Sequence, residues 1–212
     1  MTAFIRALAL AAGLALASAA HADTYEDMLR AIEIDDHRTI AALLKRGADV
    51  NMVTPKGDTL LMVAARSGKP EVVKTLLSAR PRINVRNAYG ESALMLAAIN
   101  GRIDIVRTLL DAGADVNQPG WTPLMYAAVH NHTEVAKLLL ARGAQINAAA
   151  QNGTTALMMA AREGHLPMVL LLLEHGADVN YASAYGHSAL SVAQDRKQKE
   201  IADLLMRAGA RR

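Results

Sequence analysis

The chain predicts an all-α solenoid of stacked helix pairs joined by short β-hairpin fingers. Three observations carry that expectation. The phrase Gly-Ala-Asp-Val-Asn stands at Gly47–Asn51, Gly113–Asn117 and Gly176–Asn180, with a variant at Gly143–Asn147. A second set of glycines, Gly57, Gly90, Gly120, Gly153 and Gly186, is spaced by 33, 30, 33 and 33 residues. Hydrophobic residues make up 52% of the chain and aromatic residues only 3%, which suits a core of small helices packed closely. A period of this length means supersecondary units that cannot bury an apolar face alone and must stack.

The unit Gly90–Asn117 shows how each element arises. Ser92 caps a first helix over the Ala-rich run Ala93–Ala98, and Gly101 breaks it. Ile103, Ile105, Val106, Leu109 and Leu110 then fall at helical spacing on a second helix. Gly113 closes that helix where a positive φ is needed, and Asp115-Val116-Asn117 leads into the next finger. Every unit repeats this pattern. The first-helix caps are Thr59, Ser92, Thr122, Thr155 and Ser188, and the inter-helix turns use Gly68, Gly101, Asn131 and Gly164. Pro70 and Pro167 stand at the start of second helices, where a missing N–H costs little.

Gly120-Trp121-Thr122-Pro123-Leu124-Met125-Tyr126-Ala127-Ala128 resembles the Gly-x-Thr-Pro-Leu-His-x-Ala-Ala phrase of ankyrin repeats. His132 and His165 match that family's histidine at the start of the second helix. The resemblance runs from Asp23 to Ala210 and implies L-shaped units stacked into a curved solenoid. The expected order is a polar N-terminal unit at 23–51, internal repeats at 52–84, 85–117, 118–147 and 148–180, and a polar C-terminal unit at 181–212.

Residues 1–22 read as a secretory signal peptide. Arg6 precedes the uninterrupted apolar run Ala7–Ala17, and Ala20-His21-Ala22 offers a small-x-small cleavage site. Ala17-Ser18-Ala19 is a second possible site, so the cut is expected to within a few residues. The run is too short to span a membrane as a helix. Without Arg6, the 23 basic residues fall to 22 against 20 acidic ones. That near balance argues against nucleic acid as the partner. The absence of cysteine excludes disulfides, thiolate catalysis and cysteine metal sites.

Two units depart from the pattern. Only Gln118-Pro119 separates Asn117 from Gly120, so this finger is stubby and leaves a notch in the row. Arg80-Pro81 replaces Gly-Ala after one second helix, and an arginine in a left-handed conformation costs about 1 kcal/mol. In all four internal repeats a methionine replaces the family's histidine: Met62, Met95, Met125 and Met158. Core packing is the leading reading of this row; a soft-metal ladder or an oxidant sink requires exposed sulfurs.

The resemblance places partner contacts on finger tips and on outward positions of first helices. The residues there are Lys56, Asp58, Arg66, Arg86, Tyr89, Glu91, Asn100, Trp121, His130, Gln151, Asn152, Arg162, Tyr185 and His187. Tyr89, Trp121 and Tyr185 stand out, since aromatic and arginine residues dominate binding energies, and Trp121 beside the short finger leads. His130-Asn131-His132 lacks the further ligands a metal site needs. No HExxH, GxSxG, P-loop or dinucleotide turn occurs, so neither catalysis nor a cofactor is expected. The expected function is protein binding by a monomeric periplasmic adaptor, inhibitor or stress-related factor. The alternatives are a secreted effector acting on host proteins and a redox-protective or metal-buffering methionine row.

Overall fold

The computed structural model describes residues 24–211, so the signal-peptide segment lies outside the described residues. Six helix pairs follow one another: α1 (24–33) and α2 His37–Lys45, α3 Leu60–Ser67 and α4 Pro70–Ser78, α5 Ala93–Ile99 and α6 Ile103–Asp111, α7 Pro123–Val129 and α8 Thr133–Ala141, α9 Ala156–Glu163 and α10 Leu166–Glu174, and α11 Ala189–Asp195 with α12 Lys199–Arg207. Each first helix from α3 to α11 packs on the next to form an inner row. The second helices form a looser outer row, which makes the inner side concave.

All five predicted caps form. The hydroxyls of Thr59, Ser92, Thr122 and Thr155 accept from the backbone N–H of Met62, Met95, Met125 and Met158, and Ser188 accepts from Ser191. Each such cap contributes about 1 kcal/mol. The methionine row is explained at the same place. Met62 and Met95 are buried, and their sulfurs accept from the cap residues' own N–H groups at 3.3 and 3.4 Å. Met125 and Met158 are buried too. The four sulfurs lack the exposure that a redox or metal-buffering role requires, so packing and capping account for them.

Adjacent pairs are tied by two repeating devices. The asparagine that ends each phrase accepts from a backbone N–H one unit on: Asn51 from Arg82, Asn84 from Asp115, Asn117 from Gln145, Asn147 from Asp178 and Asn180 from Arg211, all at 2.8–2.9 Å. The second device crosses the inter-helix turns. His132 Nε2 lies 3.1 Å from the Ile99 carbonyl oxygen and His165 Nε2 lies 2.8 Å from that of Val129. The His132 ring covers Gly101 so closely that a Cβ there would come within 2.7 Å of it. Gly101 is therefore fixed both by its φ of 63° and by its neighbour.

Asn131 takes the left-handed turn as expected, with φ 56°, and Arg80 does so at φ 54°. Asp35 and Lys197 make the same turn in the terminal pairs, which the glycine pattern does not reveal. Asp36, beside Asp35, caps α2 by accepting from the N–H groups of Arg38 and Thr39 and from the Thr39 hydroxyl.

The fingers are shorter than hairpins. Among the described residues, β pairing is limited to the isolated bridges Val53–Thr59 and Ala149–Thr155. Four fingers are turns closed by two backbone bonds, as where Thr54 N–H donates to Asp58 O and Gly57 N–H to Thr54 O. Fingers touch through Ala88 N–H to Lys56 O and Ala184 N–H to Asn152 O. The finger at Gly120 has no such closure, so the predicted notch is present. Arg86 spans it: its Nε donates to Gly90 O at 2.6 Å and its Nη2 to Pro119 O at 2.9 Å.

Candidate functional site

The finger tips and first helices set up equivalent positions along the inner row. Lys56, Tyr89, Pro119, Asn152 and Tyr185 precede the finger glycines. Asp58, Glu91, Trp121, Thr154 and His187 follow them. Tyr89 and Tyr185 are 70% and 78% exposed, which leaves two large rings with little internal packing. Arg66, His130, Asn152, Arg162 and His187 are exposed as well, and so are Lys56, Asn100 and Gln151.

Trp121 requires a correction. It stands outward as expected and is 37% exposed, but an outward position does not leave it unpacked: its ring lies 5.3 Å from that of Tyr126, tilted by 41°. Tyr126 is the residue that sequence reasoning missed. It sits four residues after the cap Thr122, where other units place Val63, Leu96, Met159 and Val192. Burial raises the Tyr126 phenol above its usual value. The neighbouring Glu91 carboxylate adds to that shift by its charge and a hydrogen bond, against an opposing pull from Arg86.

Two other expected contact residues are committed internally. Asp58 is buried and pairs with Arg66 at 2.8 Å. Arg86 is exposed but spent on the notch carbonyls. Asn87, also unforeseen, is buried between two carboxylates. Its Nδ2 donates to Asp58 Oδ1 at 2.6 Å and to Glu91 Oε2 at 3.1 Å, and its Oδ1 accepts from the N–H groups of Tyr89 and Glu91. Hence a polar chain runs Arg66–Asp58–Asn87–Glu91–Tyr126 across three helix pairs and holds the finger bearing Tyr89.

Depressions flank this central station. One of about 690 Å³ is lined by Tyr25, Leu29, Val63, Lys56 and Arg66, among others. The other, about 250 Å³, has Met158, Met159 and Val192 at its base, with Asn152, Arg162, Tyr185 and His187 around it. Arg162 pairs with Glu163 at 2.8 Å. Of the ten leading candidate residues, Lys56 and Arg66 thus line the first depression, and Asn152, Arg162, Tyr185 and His187 the second. Glu91 and Trp121 stand at the centre.

His130 stacks on His132 with ring centroids 6.0 Å apart. Although the residue is exposed, partial desolvation of its ring lowers its pKa first, the nearby His132 and His165 add to the effect, and Glu163 opposes it. Among the described residues, no group of three or more histidine or carboxylate side chains could hold a metal ion. No described helix is long and apolar enough to cross a membrane.

The ankyrin repeats family model matches residues 28–119, 81–150 and 146–211, and the chain belongs to that family. No curated protein matches the sequence. Among solved structures, it is similar to a chain in the complex of a predatory endopeptidase from Bdellovibrio bacteriovorus with an immunity protein. That chain is 32% identical, with a TM-score of 0.77, over 85% of this chain and 97% of that one.

Proposed function

We propose that this chain is a non-enzymatic inhibitor-type protein, exported through its signal peptide, that holds a protein partner on the concave face. The observation that carries the reading is the placement of three exposed rings along the finger row: Tyr89 and Trp121 on neighbouring fingers between the two depressions, and Tyr185 at the second depression. Large rings on a pre-formed surface supply contact area at little entropic cost, and binding energy concentrates in such residues. The similarity to a chain of an endopeptidase–immunity complex makes an endopeptidase the partner to test first. The Ala-rich leader directs the search to the periplasm.

The experiment uses tagged protein recovered from osmotic-shock fluid. Wild type should co-purify with a peptidase whose hydrolytic activity falls when purified ankyrin protein is added. A variant with Tyr89→Ala, Trp121→Ala and Tyr185→Ala should lose both effects while keeping its helical circular dichroism. Equal capture by that folded variant would move the interface elsewhere. Recovery in the culture medium instead of the shock fluid would favour the secreted-effector alternative.

A further inference from the structure

The repeat makes it possible to ask which side chains lack the partner that the same position has in another unit. Asp58 is neutralised by Arg66 from the same helix pair. One period on, those positions are Glu91 and Ile99. The carboxylate is kept and the cation is gone. Glu91 is half-buried, hydrogen-bonded to Asn87 and Tyr126, and forms no ion pair among the described residues. The guanidinium of Arg86, in the same finger, donates to the carbonyls of Gly90 and Pro119.

We propose that Glu91, with the faces of Trp121 and Tyr126, receives an arginine or lysine side chain of the protein partner. This rests on the concave face being the protein-binding surface and names what its centre recognises. A half-buried carboxylate without a cation is incompletely compensated in the free protein, and an incoming cation supplies the missing pairing. The tilted aromatic pair lies beside it, and a guanidinium is the cation best suited to stack on such rings while bonding a carboxylate. In the free state the residue equivalent to Arg66 is the aliphatic Ile99, which carries no charge to compete.

Trp121 is the only tryptophan in the chain, so its emission reports this station directly. The probe is acetyl-Gly-Arg-Gly-amide at constant ionic strength, with the uncharged norleucine tripeptide as control. Wild type should show a saturable change with the arginine peptide and none with norleucine. Glu91→Gln should weaken binding at least tenfold while keeping an acceptor for Asn87. Ile99→Arg should do the same by recreating the Asp58–Arg66 arrangement internally, with thermal melts confirming that both variants fold. An equal response to norleucine, or binding by both variants within twofold of wild type, overturns the assignment. No natural partner enters this titration. A protein that captures its partner yet ignores the arginine peptide therefore refutes the station alone, whereas partner capture unaffected by the aromatic substitutions refutes the concave-face reading.

Discussion

At the residue scale, side chains of the inner face divide into those committed to the fold and those left for a partner. Trp121 does some of both. An aromatic pair contributes about 0.5–1.5 kcal/mol beyond burial, so Trp121→Ala should lower stability by about 1 kcal/mol in urea unfolding. The same substitution should weaken partner binding by about 2 kcal/mol, roughly thirtyfold, as measured by calorimetry. A loss of several kcal/mol in stability with affinity intact would make Trp121 a core residue. Arg80 belongs wholly to the fold. Its left-handed conformation costs about 1–2 kcal/mol, while glycine adds about 0.5–1 kcal/mol of chain entropy to be lost. Arg80→Gly should therefore stabilise by a few tenths to about 1 kcal/mol, read as a higher Tm, and a lower Tm would show that the arginine side chain compensates for its backbone.

At the element scale, the seam between the helix pairs α7–α8 and α9–α10 is where pH should act. His130 has a folded pKa below its ordinary 6.5, chiefly because partial desolvation of the ring disfavours the cation. The unfolded chain therefore binds the proton more readily. The stabilising contribution is complete above about pH 6.5 and is lost as pH falls from there through the lowered folded value. Melting temperature should drop between pH 7.5 and 5.5, and His130→Asn should flatten that drop. A profile unchanged by the substitution would assign the acid sensitivity to other groups. Much of this seam was legible beforehand: the caps and the left-handed Asn131 follow from local residue chemistry, and the second-helix histidines from the resemblance to ankyrin repeats. What escaped notice depends on tertiary contacts, several of them between units. The Asn87–Asp58 bond and the Arg86–Pro119 bond join residues about one repeat apart, and no local propensity encodes them; the Tyr126–Trp121 pair lies within one unit but forms only because that unit alone carries two rings there. Only comparison of equivalent positions could have pointed to Tyr126, where the other units place Val, Leu or Met.

At the scale of the whole molecule, each pair contacts only its neighbours, so stability spreads along the stack by nearest-neighbour coupling. Removing residues 181–212 would uncover the α9 and α10 surfaces that α11 and α12 now cover. That truncation should lower Tm and promote aggregation in light scattering; a monomer with an unchanged melt would mean the last pair is dispensable. The stack of helix pairs was readable because a repeat states its own period many times over, whereas the shortness of the fingers was not. The functional face was readable only in part. Exposure of Tyr89 and Tyr185 followed from their finger-tip positions, but the internal commitment of Asp58 and Arg86 could not, since it depends on partners that folding alone brings within reach. Hydrogen–deuterium exchange of the complex with the captured partner tests the binding face most directly. Protection should concentrate on the fingers around Tyr89, Trp121, Asn152 and Tyr185 and on α5, α7 and α9, and protection confined to the outer helices α4, α6, α8 and α10 would contradict the assignment of the concave face.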